Sequence, residues 1–472
     1  MTVARKGIHH GICRSVSSEA DGEDDERLLT FADSIGEVHS SLRVGANVHH
    51  VHSLMANLAI AHVGVALHAR GLALDASEAR QLHSVATIAG VKNVDTLIRA
   101  TTNGRDVAQL SRNAFVLDLY DLNEDALKQT GPIYQHVLNT VRPERAQNGR
   151  ASYRKLWWVF GEPRPDMRRA IAGLRRYIVT PLTAVHRYFL FLGPEIIPDQ
   201  ALVVIASDDS FDLGVLSSRI HVIWAITAGG RLGVGNDPRY NKTLCFDPFP
   251  FPRKTENDEA RISTFGEQLD AHRKKQQALH PGLTMTGMYN VLEKLRSGET
   301  LTDKEKTIHE QGLVSVLKQI HDELDAAVFD AYGWPVTLTD EEILERLVAL
   351  NAERAAEEAR GLIRWLRPDF QNRSQQTQQA IDVEETSDEE TATTKKPTKA
   401  KESAKKLPLP EKLPEQVLAI RQQLSTASKP LTAADMAKLF TRAKADRIEE
   451  LLQSLVILGS ARQVDGNKFV AA

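Results

Sequence analysis

Tyr153-Arg154-Lys155-Leu156-Trp157-Trp158-Val159-Phe160-Gly161-Glu162-Pro163-Arg164 sets cations against aromatic rings within one short stretch. The pattern continues on both sides. Between Arg142 and Arg187 the cations are Arg142, Arg145, Arg150, Arg154, Lys155, Arg164, Arg168, Arg169, Arg175, Arg176 and Arg187, against Glu144, Glu162 and Asp166 as the anions. All but one are arginine, whose planar fork suits phosphates and guanine edges. Tyr153, Trp157, Trp158, Phe160, Tyr177 and Tyr188 lie among them. A nucleic-acid groove needs both ingredients, charge for phosphates and flat faces for unstacked bases. A solvated surface over an aromatic core has the same composition, so the stretch alone leaves both readings open.

Around this stretch, residues 37–252 read as a mixed α/β domain. Strands are expected at Phe115–Leu117, Arg176–Val179, Arg187–Phe191 and Ala201–Ala206, where β-branched and apolar residues run together. Helical spacing occupies Glu124–Thr140, Pro165–Leu174 and Leu213–Thr227. The domain closes on Asp247-Pro248-Phe249-Pro250-Phe251-Pro252, which can form neither helix nor central strand. Residues 253–366 read as helical, at Glu256–Leu279, Met288–Arg296, Asp303–Tyr332 and Asp340–Leu366. Thr302-Asp303-Lys304-Glu305 and Thr339-Asp340-Glu341-Glu342 supply capping boxes. Residues 367–410 pass from Gln-rich sequence through an acidic block into a Lys/Pro/Thr block, the composition of a disordered tether. In 411–472, three helices (Leu413–Leu424, Thr432–Leu439, Ala445–Leu458) precede two short strands around Asp465-Gly466-Asn467, a winged-helix pattern. Residues 1–36 read as linker-like, with acids crowded between Glu19 and Glu26. The expected class is α+β.

Composition excludes several alternatives. The 472 residues are 42% hydrophobic and 26% charged, which argues against wholesale disorder, collagen and a membrane bundle. A net charge of −3 excludes a uniformly basic protein but not a local basic face. Two cysteines, Cys13 and Cys245, exclude a disulfide framework and a Cys-based zinc cluster. No apolar run approaches the ~20 residues needed to span a bilayer. With no export signal, the expected location is the cytoplasm.

Other motifs carry less. Gly229-Gly230-Arg231-Leu232-Gly233-Val234-Gly235-Asn236-Asp237-Pro238 follows a helix and leads to no new one, so it fits a turn presenting Arg231, Arg239 and Lys242 better than a dinucleotide loop. His49, His50, His52, His62 and His68 have no acid or thiol among them to complete a metal set. No Gly-x-Ser-x-Gly elbow is present. Ser207-Asp208-Asp209 and Asp118/Asp121 read as caps or turn-binding groups. Asn103-Gly104-Arg105-Asp106 reads as a tight turn, either lying near DNA or simply closing a hairpin.

Taken in order, Thr102–Asp106, Tyr134–Leu138, Val141–Arg145, Tyr153–Arg164, Leu213–Arg219, Gly235–Lys242 and Phe246–Pro252 resemble a known family. They look like the C-terminal half, with its target-recognition domain, of large class I S-adenosylmethionine-dependent adenine-N6 DNA methyltransferases of bacterial restriction–modification and phage-defence systems. The similarity runs from about residue 37 to 366. In that family a preceding doubly wound sheet binds S-adenosylmethionine, and an Asn/Asp-Pro-Pro-aromatic motif holds the flipped adenine. The sequence contains no Asn-Pro-Pro-aromatic string, and Asp247-Pro248-Phe249 lacks the second proline. The resemblance therefore implies a recognition part without catalytic or cofactor-binding residues of its own. It implies double-stranded DNA as partner and a methyltransferase domain or chain supplied separately. The acidic N-terminal stretch falls where the family has just left its catalytic sheet. A non-enzymatic DNA-binding or regulatory protein, or an inactive remnant, are the alternatives. The expected DNA contacts are Arg142, Arg145, Arg150, Arg154, Lys155, Arg164, Arg231, Arg239, Tyr240, Asn241 and Lys242, most of them to phosphates. The Trp157-Trp158 pair is expected to pack in preference to stacking on bases. The helices of 253–366 are expected to brace the recognition domain, and the end domain to contact DNA or a partner through Lys438, Arg442, Lys444 and Arg447.

Overall fold

The structure is a computed structural model. It describes residues 48, 51–232 and 237–372, the backbone of 10–19 and 28–37, and parts of 407–471, chiefly 431–441, 445–457, 461–464 and 468–471. The chain divides into two units, Met1–Glu385 and Thr386–Ala472.

Two four-stranded sheets organise the first unit. In one, Ala61–Val63, Leu202–Ile205, Tyr177–Pro181 and Leu190–Leu192 lie side by side, all antiparallel. Its two central strands are buried on both faces, which is why they read as unbroken apolar runs rather than alternating ones. Alternation still sorts the side chains. Ile178, Val203 and Ile205 pack into one cluster with Phe189, Tyr240 and Phe246, whereas Tyr177, Val179 and Val204 pack into another with Trp157 and Trp158. The second sheet orders Ala73–Leu74, Ala114–Leu117, Ile98–Thr102 and Ile197–Pro198. Its last pair is parallel, and Pro198, which has no N–H to donate, sits on the edge strand.

Several elements differ from the sequence-based expectation. The strand expected at Arg187–Phe191 begins only at Leu190. Arg187 is drawn instead into backbone contacts with Pro181 and Pro238. The helix expected over Glu124–Thr140 is two helices, Glu124–Lys128 and Pro132–Thr140, because Gly131 takes φ 48° and Pro132 can begin a helix but not continue one. Ser218, in extended backbone, divides Ser210–Ser217 from Arg219–Ala228. Leu313, at φ 43°, likewise divides Asp303–Gly312 from Val314–Tyr332. Asn103-Gly104-Arg105-Asp106 is not a hairpin turn. The Asn103 side chain accepts from the Asp106 amide and the Asp106 carboxylate accepts from the Asn103 amide, starting the short helix Gly104–Ala108. In the N-terminal stretch expected to be linker-like, His10–Glu19 pairs antiparallel with Leu28–Glu37, and the acids 21–26 lie outside the described residues.

The helical region runs Glu256–Leu279, Met285–Ser297, Asp303–Gly312, Val314–Tyr332 and Asp340–Ala359. Thr302 and Thr339 cap their helices reciprocally with Glu305 and Glu342, and backbone N–H and lysine donors hold the Glu305 carboxyl down at about 2. The long helix Glu256–Leu279 packs on Ser210–Ser217 so closely that a Cβ on Gly266 would lie 2.4 Å from the Ser210 carbonyl oxygen. Phe211, Trp224 and Phe249 share one core cluster with Ile262, Leu269, Leu317 and Leu347, so these helices are continuous with the interior of the sheet-containing segment. Among the described residues no helix is long and apolar enough to cross a membrane.

In the second unit, Thr432 caps Ala433–Leu439, and Ala445–Ile457 follows. Leu431–Thr432, Lys468–Ala471 and Ala461–Val464 form a three-stranded antiparallel sheet. Met436, Phe440, Ile448, Leu451, Leu452, Leu455 and Phe469 form the core. Of the helix expected at Leu413–Leu424, Gln416, Ile420, Gln423 and Leu424 are helical, and the rest lies outside the described residues, as do the Asp465-Gly466-Asn467 turn and residues 373–406.

Candidate nucleic-acid interface

Burial and pairing separate eight of the eleven cations between Arg142 and Arg187 into two kinds, while Arg164, Arg169 and Arg175 pair with Glu162, Asp166 and Asp208. Some build the domain. Arg168 donates through Nη1 and Nη2 to Asp118 at 2.9 and 2.8 Å, its Nε donates to the Pro163 carbonyl at 2.8 Å, and it lies over Tyr120 at 4.7 Å. Arg99 reaches the same carboxylate at 3.3 Å. Asp118 is therefore a structural anion between two arginines. Arg176 pairs with Glu267, tying the sheet to the long helix, and lies 3.7 Å from the Phe191 ring centroid. Arg187 is fully interior, donating to Thr180 Oγ1 at 2.9 Å and to the carbonyls of Pro181 and Pro238. Burial pulls its pKa down.

Two of the expected DNA contacts belong to this building set. Arg145 is 1% exposed and its Nη2 donates to the carbonyls of Leu67 at 2.9 Å and Val159 at 3.0 Å. Burial lowers its pKa too. Tyr240 is wholly buried, its hydroxyl 3.0 Å from His221 Nε2. Burial pushes the Tyr240 hydroxyl well up and the His221 imidazole down to about 3, so this pair is neutral across the physiological range. Neither side chain reaches a surface on which DNA could lie.

Arg142, Arg150, Arg154 and Lys155 are the other kind. All four are exposed and have no carboxylate partner among the described residues. Arg142, Arg154 and Lys155 lie on two short helices, Arg142–Ala146 and Ala151–Lys155, and Arg150 is the residue just before the second. Buried residues set the helices: Val141 is in the core, and Trp157 and Trp158 pack edge to face at 5.7 Å, with Trp158 Nε1 donating to the Leu122 carbonyl at 3.0 Å. The tryptophans are thus interior props. Arg142 lies over Trp157 at 5.7 Å, Arg150 donates to the Tyr153 hydroxyl at 3.0 Å, and Arg154 Nη1 donates to the carbonyls of Asn148 at 2.6 Å and Gly149 at 3.0 Å. Holding the three guanidinium groups in this way lowers the entropy that an anion would otherwise have to overcome.

Arg164 is half-buried, paired with Glu162, with Nε 3.3 Å from the Gly64 carbonyl. Arg231 and Arg239 are exposed on a two-stranded ribbon, Arg231–Leu232 with Asp237–Pro238, whose connecting residues 233–236 lie outside the described residues. Asn241 caps the turn after it, accepting from the Thr243 amide at 3.1 Å, and Lys242 reaches the Asp247 carboxylate at 3.5 Å. Residues 142–155 are seated on the tryptophan cluster and 239–242 on the Tyr240 cluster, so the exposed cations form two groups. His68 and Arg70, which sequence reasoning did not select, lie against the first group. No local signal marked them; long-range contacts bring them there, among them the pairing of Ala66 with Glu162 and the hydrogen bond from the Arg70 amide to Glu144. Among the described residues no cluster of three or more His, Cys, Asp or Glu side chains suits a metal.

Residues 48–253 match the family model described as MmeI, target recognition domain. This segment is similar to that family's target recognition domain. DNA methyltransferase A of Bacillus subtilis (strain 168) is 28% identical over 236 residues, covering 48% of this chain and 23% of that protein. The solved structure of the Type IIL restriction–modification enzyme MmeI in complex with DNA superposes with a TM-score of 0.53 at 17% identity, covering 73% of this chain and 42% of that one. The chain therefore spans about a quarter of the curated relative and under half of the solved one. The family match falls on the part of the chain that resembles a target recognition domain, and the curated relative is by name a DNA methyltransferase. Within the recognition domain, the Val159–Arg164 string pairs with Ala66 and Leu67 through Gly161 N and Glu162 N.

Proposed function

We propose that the chain binds double-stranded DNA as the recognition part of an S-adenosylmethionine-dependent adenine-N6 methyltransferase of a restriction–modification or phage-defence system, acting in the cytoplasm. One observation carries the reading. A domain similar to a target recognition domain presents Arg142, Arg150, Arg154 and Lys155 exposed and without a carboxylate partner among the described residues, with the guanidinium groups of the three arginines placed by aromatic rings and backbone carbonyls. Such groups neutralise phosphates and set register, and the second group, Arg231 and Arg239, contacts the same duplex from the ribbon. Transfer of a methyl group needs a held cofactor and an acceptor for the amino protons, which a separate methyltransferase domain or chain supplies.

Binding of a fluorescent duplex, followed by anisotropy across a salt series, tests the reading. Affinity should fall steeply and linearly on logarithmic axes, and Arg154→Ala should reduce the slope by about one. Binding that does not respond to salt would refute it. In the same preparation, labelled S-adenosylmethionine should leave no methyl group on adenine-containing duplex until a catalytic partner is added.

A further inference from the structure

We propose that the cleft beside Tyr153 seats a backbone phosphate of duplex DNA, gripped by Arg70 and Arg150 with His68 alongside. The proposal rests on the DNA-binding reading above. The cleft has a volume of about 750 Å3 and opens between the Arg70–Leu72 turn and the segment Glu144–Tyr153. The fold constructs it from sequence-distant parts. His68 turns the chain at φ 49°, and Gly161 lies so close that a Cβ there would be 2.5 Å from the His68 ring and 2.8 Å from the Tyr153 hydroxyl. The Leu67 carbonyl accepts from both Gly161 N and Arg145 Nη2, which fixes the turn from the interior.

Three features favour an anion. Arg70 and Arg150 are exposed cations that both line the cleft, from sequence-distant segments. Beneath them, Arg145 lies 4.5 Å from the Tyr153 ring centroid, and its Nε and Nη1 have no hydrogen-bond partner. A buried cation acts strongly on nearby charge because the interior screens it weakly, although Glu144 offsets part of this field. The carboxylate on the cleft wall, Glu144, is turned to the backbone and accepts from the Arg70 amide at 3.2 Å. The other nearby carboxylate, Glu162, lies 3.8 Å from His68 and pairs with Arg164. A phosphate suits the cleft better than a base. The Tyr153 ring is flanked by Arg145, by Arg150 at 5.3 Å and by the stacked His68 ring at 6.1 Å, so it has no free face on which a base could stack.

The full chain, carrying Arg70→Ala or Arg150→Ala, is titrated with labelled duplex across a salt series. Each variant should lower the salt slope by about one and weaken binding to a similar degree on unrelated duplexes, as loss of a phosphate contact does. Arg70→Lys should retain the slope. Arg80→Ala, which removes an exposed cation on the Ala76–Ile88 helix outside the cleft, should bind as the wild type does. Wild-type slope and affinity in Arg70→Ala would overturn the cleft while leaving the DNA reading intact. A wild-type chain that binds no duplex at low salt would overturn both. A loss in Arg70→Ala confined to one duplex sequence would also overturn the proposal, since it would mark a base contact.

Discussion

Arg145 separates a reading by composition from a reading by structure, and replacing it distinguishes them. Arg145→Ala removes two hydrogen bonds from a charged donor, to Leu67 and Val159. Bonds of that kind contribute about 1.5–3 kcal/mol each. The Leu67 carbonyl keeps the Gly161 amide as a donor, so Val159 bears most of the loss. Truncation also empties the space of a side chain that is 1% exposed, a change of about 2–5 kcal/mol for comparable large-to-small replacements. Against this, the variant no longer desolvates a cation with two unpartnered nitrogens, which returns about 1–3 kcal/mol. The net expectation is a loss of roughly 2–4 kcal/mol. Arg145→Met keeps volume, removes the buried charge and should lose about half as much. All five tryptophans lie between Trp157 and Trp365, so urea unfolding followed by tryptophan fluorescence reports the first unit by itself. An Arg145→Ala variant as stable as the wild type to within about 0.5 kcal/mol, yet weakened in DNA binding, would show that this arginine reaches DNA and that its burial is misread.

Asp118→Ala leaves Arg99 and Arg168 partly buried without their anion, and the first unit should lose about 3 kcal/mol in the same fluorescence melt. Tyr240→Phe removes the hydroxyl partner of buried His221 and should cost about 1 kcal/mol while leaving DNA affinity unchanged. Acid titration of stability should show opposed contributions. His221, depressed to about 3, contributes stability above its unfolded value that is lost as pH falls from about 6.5 toward 3, because the unfolded chain takes up a proton first. Asp325, raised by burial to about 6, has the opposite sign and contributes stability as pH falls from about 6 to 4. Asp325→Asn keeps the acceptor for the Arg219 amide but deletes that compensation, so its stability should fall more steeply between pH 6 and 4 than that of the wild type, by about 1–3 kcal/mol. An unchanged slope in the melt series would refute this assignment.

Sequence is most legible where one local signal decides the outcome. Glu256–Leu279 begins at its Thr255 cap and ends where apolar spacing ends. Thr302 and Thr339 start helices because Glu305 and Glu342 stand three residues on. Breaks within apolar runs are less legible: Ser218 interrupts a periodic pattern with no adjacent glycine or proline to mark it, and at the second break it is Leu313, not its neighbour Gly312, that takes the positive φ. Charge is least legible, because composition does not record which way a side chain turns. Arg142 and Arg145 stand on one helical turn, yet one is exposed over Trp157 and the other is inside, bonded to Leu67 and Val159. The two roles depend on each other. Arg145 and Gly161 fix the Leu67 turn, Arg168 and Asp118 fix the strand that precedes Tyr120, and only on that frame do Arg70 and Arg150 face one cleft. The candidate DNA surface thus depends on arginines that are themselves buried or paired inside the domain. Variants of those interior residues should lower stability first, with the salt slope of the folded fraction preserved, whereas variants of the exposed ones should change the slope and leave the melt in place.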